Sequence, residues 1–179
     1  MTDKHATGHG ALTLVLGGAR SGKSDHALKL AMAAAPPWVF VATAEPLDAE
    51  MQDRIRHHKE IRGEGWVTME APIDLAGAME QVPVDTVMVI DCFTLWLSNL
   101  MLGGCNIDHE IGRFDEALRA RSASTIAVAN EVGLGIVPET QLGRAFRDQA
   151  GVLNRYLAAI AGKVILMVAG LPLTIKPAQ

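Results

Sequence analysis

The chain has little cysteine, no long apolar run and no excess of positive charge. Its two cysteines, Cys92 and Cys105, among 179 residues offer neither metal-ligand spacing nor a disulfide framework. We therefore expect a reducing compartment, the cytoplasm. No stretch approaches the ~18 apolar residues of a membrane span, so we expect no integral membrane segment. The net charge of −4 argues against a nucleic-acid partner, because nucleic-acid binding needs a basic footprint.

The composition is that of a globular protein, with 49% apolar and 20% charged residues. Neither an internal repeat nor a linker interrupts the sequence. The first apolar run leads straight into a glycine-rich loop, which is not the pattern of a signal peptide. We predict a flexible tail over residues 1–10 and a single nucleotide-binding domain over residues 11–179, large enough to bury a core.

Short, nearly continuous apolar runs alternate with helical patterns. Such runs are typical of strands covered on both faces, and the alternation predicts a mostly parallel α/β sheet flanked by helices. Trp66–Met69 predicts an edge strand, and Leu173–Lys176, after the turn-like Leu171-Pro172, predicts an antiparallel C-terminal edge strand. The other strands are predicted at Leu12–Leu16, Trp38–Ala42, Thr86–Ile90, Thr125–Ala129 and Val164–Ala169, and the helices at 24–35, 47–62, 73–81, 93–102, 108–122 and 139–161.

A glycine-rich loop lies between the first predicted strand and the first predicted helix. It reads Gly17-Gly18-Ala19-Arg20-Ser21-Gly22-Lys23-Ser24 and fits the P-loop pattern G-x-x-x-x-G-K-[ST]. Its backbone N–H groups and the helix N-terminus would face one anion. We expect Lys23 to reach the β- and γ-phosphates and Ser24 to hold Mg²⁺. This context predicts a nucleoside-triphosphate site on a P-loop NTPase-like fold of the RecA type; the alternative is a chance glycine turn before Lys-Ser.

Asp91 ends the apolar run Val87–Ile90, as the metal-binding carboxylate of a Walker B strand does. In an open parallel sheet, ligands bind beyond the carboxyl ends of the strands. This rule brings Asp91 to one rim together with the P-loop, residues 43–45 and residues 130–135. We predict Ser24 and Asp91 as magnesium ligands; the alternative is that Asp91 caps the following helix.

Residues 54–62 are unusually basic and contain the adjacent pair His57 and His58. On a helical wheel, His58 lines up with the apolar Met51 and Ile55, whereas His57 points about a third of a turn away. The pair therefore diverges and is a poor joint metal site. An outward imidazole among cations suits nucleophilic attack on a phosphate. A solvated helix face is the alternative explanation.

The segment Asn130–Glu139 contains Gly133 and Gly135, which permit close backbone approach. Pro138 is expected at the start of the following helix. The alternative is an ordinary loop before a surface helix.

Together these segments resemble the bifunctional adenosylcobinamide kinase/adenosylcobinamide-phosphate guanylyltransferase family of cobalamin biosynthesis. The resemblance runs from about Leu12 to Lys176, nearly the whole chain. The P-loop is generic, whereas the histidine pair and the Asn-Glu-Val-Gly segment together are specific. The matching segments are residues 17–24, Ala42-Thr43, Asp48, Glu50-Met51, Arg54-Ile55-Arg56-His57-His58-Lys59, Thr94, Asn99-Leu100, residues 130–139, Phe146–Gly151 and Asn154.

The resemblance implies two reactions and a homo-oligomer, a trimer. ATP or GTP phosphorylates the aminopropanol hydroxyl of adenosylcobinamide. GTP then donates GMP to that phosphate through a covalent GMP–histidine, which maps to His57. The family often has glutamate where Asp91 stands, so the carboxylate here is one methylene shorter. The implied nucleotide contacts are the P-loop residues, Thr43, Ala44, Glu45, His58, Lys59, Glu60, Ile61, Glu70 and Asp91.

Two other functions fit parts of the pattern. A small-molecule P-loop kinase without nucleotidyl transfer would use the P-loop but has no need of a histidine nucleophile. A nucleotide-gated binding module would bind or hydrolyse nucleotide without modifying a corrinoid.

Overall fold

The computed structural model describes residues 12–45 and 62–178 of the chain. The predicted tail over residues 1–10 and most of the helix predicted over residues 47–62 lie outside these ranges. The strands are β1 Leu12–Gly17, β2 Trp38–Ala42, β3 Trp66–Glu70, β4 Val87–Asp91, β5 Thr125–Asn130, β6 Lys163–Val168 and β7 Leu171–Lys176. The helices are α1 Lys23–Ala31, α2 Leu75–Glu80, α3 Phe93–Leu102, α4 Ile107–Arg119 and α5 Gln141–Ile160.

The strands form one sheet in the order β3-β2-β4-β5-β1-β6-β7. All neighbouring pairs are parallel except β6 and β7, which are antiparallel. The predicted α/β class, the edge position of β3 and the antiparallel C-terminal edge strand are therefore confirmed.

Burial on both faces of the sheet explains why the strands read as continuous apolar runs. Leu14 and Val15 are successive residues of β1, and both are fully buried. Val15 packs in the cluster that contains α1, whereas Leu14 packs in the larger cluster that contains α2, α3, α4 and α5. The larger cluster includes Phe93, whose ring makes edge contacts with Trp96 and Phe114. The sheet therefore lies between two apolar layers.

The turn before β7 differs from the prediction. Ala169 was expected to end β6, and Leu171-Pro172 was expected to form the turn. Instead, Ala169 and Gly170 have φ of +50° and +81°, and Leu171 begins the strand. Two consecutive positive φ values match the right-handed twist of adjoining strands, so this pair closes the hairpin.

Several helix boundaries also differ from the predictions, among them the end of α1 and the start of α5. Helix α1 ends at Ala31 rather than at residue 35, because Ala33 and Ala34 make short turn bonds back to Leu30 and Ala31 ahead of the Pro36-Pro37 pair. Helix α5 begins at Gln141, since the Thr140 hydroxyl accepts the Gly143 N–H at 3.1 Å and caps it.

Pro138 therefore precedes the cap of α5 instead of starting the helix. A Cβ added at Gly143 would lie 2.8 Å from the Pro138 Cβ, so the proline packs against the first turn from outside. No helix among residues 12–45 and 62–178 is long and apolar enough to cross a membrane.

Candidate active site

The carboxyl ends of the parallel strands meet at one rim, as predicted. Gly17 at the end of β1 pairs with Asn130 at the end of β5, and Ala42 at the end of β2 pairs with Asp91 at the end of β4. The P-loop leaves this rim from β1, between the neighbouring strands β5 and β6.

The P-loop requires glycine at two positions for different reasons. A Cβ on Gly17 would lie 2.6 Å from the Met167 carbonyl oxygen of β6, so only a hydrogen fits there. Gly22 has a φ of +87° and is the N-cap of α1, a conformation that side chains disfavour. These two residues turn the chain so that α1 begins at the rim.

Lys23 is the first residue of α1 and is only 7% exposed. Its ammonium Nζ donates a hydrogen bond to the Gly18 carbonyl at 2.5 Å and so folds back over the loop. The next residue, Ser24, is half-buried in the same turn. The Ser21 hydroxyl is buried with no hydrogen-bond partner among the described residues. The Lys23 ammonium group and the Ser21 and Ser24 hydroxyl groups therefore belong to one short loop and the first turn of α1.

Asp91 is the last residue of β4, and Cys92 takes the N-cap position of α3. Cys92 rather than Asp91 therefore occupies the N-cap position, and the magnesium role of Asp91 stays a prediction. The pKa of the Cys92 thiol is raised to about 11, first by burial and then by the charge of Asp91, while the charge of Lys23 opposes the rise. Asp91 pairs in register with Val128 of β5, and Asn130 at the end of β5 pairs with Gly17, so Asp91 and the P-loop lie at the same edge of the sheet.

Thr43 joins the ends of β2 and β4. Its fully buried hydroxyl donates to the Cys92 carbonyl at 2.7 Å and accepts the Cys92 N–H at 2.8 Å. Its backbone N–H also donates to the Asp91 carbonyl at 3.2 Å. This hydroxyl fixes the backbone that carries Asp91, and the nucleotide contact of Thr43 stays a prediction.

Three further polar side chains hold the rim together from the helices. The Asn99 amide of α3 donates to the Thr43 and Pro72 carbonyls at 2.8 and 3.0 Å. The Thr94 hydroxyl accepts the Asn130 N–H at 2.6 Å, and the Asn154 amide of α5 donates to the Asn130 carbonyl at 3.1 Å. Sequence reasoning noticed these residues only through the family resemblance, and the structure shows that they bind backbone.

Beyond β5, the chain is attached directly to the P-loop. The Glu131 N–H donates to the Gly17 carbonyl at 3.0 Å, and the Glu131 carboxylate accepts the Gly133 N–H at 2.8 Å. At the far end, the Arg144 guanidinium donates to the Pro138 and Glu139 carbonyls at 3.1 and 2.6 Å. The segment is therefore hydrogen-bonded to the P-loop at its start, and a binding role for it stays a prediction.

Glu70 ends β3 and lines an open cavity of about 390 Å³ at the edge of the sheet. Glu70 pairs in register with Ala42 of β2, and Ala42 pairs in turn with Asp91 of β4. Ala44 and Glu45 are half-buried at the end of the described range that follows β2. The nucleotide contacts of Glu70, Ala44 and Glu45 stay predictions.

Arg62, at the start of the second described range, is buried against this part of the sheet. Its guanidinium lies 3.9 Å from the centre of the Phe40 ring and donates to the Thr68 hydroxyl at 3.1 Å. Burial lowers the Arg62 pKa, whereas the charge of Asp91 raises it. The segment that precedes Arg62 contains His57, His58, Lys59, Glu60 and Ile61, which lie outside the described residues.

The oxygen groups of Ser24 and Asp91 suit Mg²⁺, which prefers oxygen ligands and uses few protein groups beside phosphates and water. Within the described residues, no group of three or more His, Cys, Asp and Glu side chains could hold a metal. A site with one carboxylate and one hydroxyl would not be expected to contain such a cluster.

The comparison with protein families matches residues 13–175 to the cobinamide kinase/cobinamide phosphate guanyltransferase model. The chain belongs to this family. It is therefore a bifunctional kinase and guanylyltransferase of adenosylcobalamin biosynthesis. The bifunctional adenosylcobalamin biosynthesis protein CobU of Salmonella typhimurium is 41% identical, over 92% of this chain and 99% of that protein. The CobP protein of Pseudomonas aeruginosa is 39% identical, over 91% of this chain and 96% of that protein.

Solved structures with low sequence identity confirm the P-loop NTPase fold. The flagellar accessory protein FlaH of Methanocaldococcus jannaschii has a TM-score of 0.54 at 16% identity, over 95% of this chain and 80% of that one. The RadB recombinase has a TM-score of 0.50 at 15% identity, over 89% of this chain and 75% of that one. These similarities concern the fold alone.

Replacing Thr43 with valine should lower the free energy of unfolding by about 2 kcal/mol, because the buried N–H of Cys92 loses its partner, whereas the Cys92 carbonyl keeps the Trp96 N–H. Thr43→Ser is the matched control, since it keeps the hydroxyl and should lose only about 1 kcal/mol for the missing methyl. Urea denaturation of the three proteins measures the difference. Equal stability of the two variants would contradict the role given to the hydroxyl.

Proposed function

We propose that this chain phosphorylates the aminopropanol hydroxyl of adenosylcobinamide with ATP or GTP and then transfers GMP from GTP to the new phosphate. The products of the second step are adenosylcobinamide-GDP and pyrophosphate. The observation that carries the proposal is the buried Lys23, which folds over the P-loop at the edge of the sheet where Asp91 ends β4. Phosphoryl transfer on a P-loop uses a lysine and a metal-binding carboxylate in such positions.

For the kinase step, the P-loop N–H groups and Lys23 would hold the β- and γ-phosphates. Ser24 and Asp91 would hold Mg²⁺, which when bound neutralises charge on the phosphates. Lys23 now donates to the Gly18 carbonyl and would exchange this bond for phosphate oxygens. The Thr43 hydroxyl would keep Asp91 in place through the backbone. The acceptor hydroxyl attacks the γ-phosphorus, the P–O bond to the nucleoside diphosphate breaks, and the acceptor loses its proton.

For the guanylyl transfer, His57 would be the nucleophile. Its neutral imidazole nitrogen attacks the α-phosphorus of GTP, a P–N bond forms, and the bond to pyrophosphate breaks. A phosphate oxygen of adenosylcobinamide phosphate then attacks the same phosphorus and releases the imidazole. The sequence supports this role because Arg54, Arg56 and Lys59 would gather the triphosphate charge.

We further infer that Thr43, Ala44, Glu45, Glu70 and residues 58–61 contribute to nucleotide binding. Glu70 and the cavity that it lines offer a carboxylate acceptor beside a nucleotide-sized space. A homo-oligomer is supported by the exposed apolar Leu171, Leu173 and Ile175 along the edge strand β7, and the number of three subunits is carried over from the family resemblance. The free thiols Cys92 and Cys105 support a cytoplasmic location.

Replacing Lys23 with alanine should lower the rate of adenosylcobinamide phosphorylation by about 100-fold or more, because the cation that stabilises the transferring phosphate is lost. Lys29→Ala, which removes an exposed lysine from the last turn of the same helix, is the control and should be nearly as active as wild type. Initial rates of adenosylcobinamide phosphorylation at saturating ATP measure the difference between the variants. Near-normal phosphorylation by a folded Lys23→Ala protein would refute this role.

Replacing Asp91 with asparagine should weaken the Mg²⁺-dependent part of nucleotide binding by about tenfold, because an amide lacks the charge that attracts the cation. Nucleotide affinity in the presence of EDTA should change little. Calorimetric titrations with nucleotide, in the presence and in the absence of Mg²⁺, measure the metal-dependent and the metal-independent parts of the affinity separately. An Mg²⁺ dependence equal to that of wild type would exclude Asp91 as a metal ligand.

The covalent intermediate distinguishes the two histidines. After incubation with GTP and Mg²⁺, intact mass should increase by one GMP, and peptide mapping should place it on His57. The adduct should be labile in acid and stable in base, as a P–N bond to imidazole is.

His57→Ala should abolish the adduct and keep phosphorylation. The neighbouring control His58→Ala should still form the adduct, but the folded protein should be less stable than wild type. A GMP adduct on His58 would transfer the role to that residue. An adduct on neither histidine would refute the covalent GMP–histidine intermediate.

A further inference from the structure

Asn130 ends β5, the strand that lies between the P-loop strand β1 and the strand β4 that carries Asp91. Asn130 pairs in register with Gly17, the first residue of the P-loop. Asp91 pairs in register with Val128, which precedes Asn130 by two residues on the same strand. The backbone of Asn130 therefore stands between the phosphate-binding loop and the carboxylate that is predicted to hold Mg²⁺.

The alternation of side chains along the strands gives the face of the sheet on which Asn130 lies. Val128 of β5 and Val89 of β4 both pack in the buried cluster that contains residues of α1. Each valine lies two residues before the polar end of its strand, and side chains two residues apart in a strand share a face. Asn130 and Asp91 therefore lie on the α1 face of the sheet, where the P-loop leads into its helix.

Two buried side chains hold the backbone of Asn130. The Thr94 hydroxyl accepts its N–H at 2.6 Å, and the Asn154 amide donates to its carbonyl at 3.1 Å. Thr94 and Asn154 are each only 7% exposed, so these bonds are shielded from water. Hydrogen bonds in such an environment are strong, and they fix the place from which the side chain of Asn130 starts.

The side-chain amide of Asn130 makes no hydrogen bond with any residue in the described ranges. An asparagine at the end of a strand often bonds the backbone two residues further on and so closes a turn. Here Glu131 makes a bond of this kind, since its carboxylate accepts the Gly133 N–H. Because the amide neither caps a helix nor closes a turn, a structural role does not account for it.

We propose that Asn130 is a catalytic residue of the kinase step, whose amide N–H donates a hydrogen bond to an oxygen of the transferring γ-phosphoryl group. The inference rests on the proposed function and adds a residue to its first reaction. As the acceptor oxygen bonds to the γ-phosphorus and the bond to the nucleoside diphosphate breaks, negative charge spreads over the phosphoryl oxygens. A neutral donor that is already fixed in place stabilises this charge and keeps its own proton.

The test compares full-length Asn130→Ala and Asn130→Asp with wild type. Alanine should lower the kcat of adenosylcobinamide phosphorylation by about 100-fold, because one donor to a developing oxyanion is lost, while the KM values for ATP and adenosylcobinamide should change little. Aspartate has the same shape but turns a negative oxygen toward the phosphate, so it should lower kcat further. Ser124→Ala is the matched control, because Ser124 is exposed just before the opposite end of the same strand.

Two further measurements separate a catalytic role from a structural one. ADP lacks the γ-phosphate, so its affinity should be the same in wild type and in both variants. Urea denaturation should show no marked loss of stability for Asn130→Ala, since the described part of the chain makes no hydrogen bond with this amide.

Each other outcome overturns the proposal. A wild-type kcat in Asn130→Ala would overturn it directly. A fall in ADP affinity as large as the fall in kcat, or a marked loss of stability, would show that Asn130 supports the P-loop instead. A raised KM for adenosylcobinamide with an unchanged kcat would assign the amide to acceptor binding. A wild-type protein that does not phosphorylate adenosylcobinamide would reject the proposed function itself, and the role of Asn130 with it.

Discussion

The buried hydroxyl of Thr43 is the point on which the geometry of the rim depends. It satisfies both the N–H and the carbonyl of Cys92, and in doing so it fixes where β4 ends and α3 begins. Asn99 extends the same connection to the end of β3 through Thr43 and Pro72. Because a buried backbone group without a partner costs as much as a lost hydrogen bond, these few side chains force the strand ends into one arrangement. Asp91 takes its position from that arrangement.

The rim divides into two parts, which lie on the two sides of β4. On one side lie the P-loop, Lys23 and the anchored segment after β5, which are joined by the bond from Glu131 to Gly17. On the other side lie β2 and β3, with Glu70 and its cavity, and with Arg62 over the Phe40 ring. Asp91 stands between the two sides, since it pairs in register with Ala42 of β2 and with Val128 of β5.

Much of the fold could be predicted because parallel strands covered on both faces read as unbroken apolar runs. The P-loop could be predicted because its residues are adjacent in sequence. The end of β6 could not be predicted, because it depends on the positive φ of Ala169 in a tight turn. The start of α5 could not be predicted either, because Pro138 packs against Gly143 from outside the helix. The roles of Thr43 and Asn99 were also beyond sequence reasoning, since their partners lie 49 and 27 to 56 residues away. Such contacts leave no local pattern.

The thiol of Cys92 gives the rim a further property, which concerns oxidation. A cysteine near a lysine is ordinarily more reactive, because a cation favours the thiolate, and thiolates rather than thiols attack peroxides and disulfides. Here burial and the charge of Asp91 raise the pKa of Cys92 to about 11, against the pull of Lys23. The thiol therefore stays protonated at neutral pH, and a buried, protonated thiol reacts slowly with oxidants.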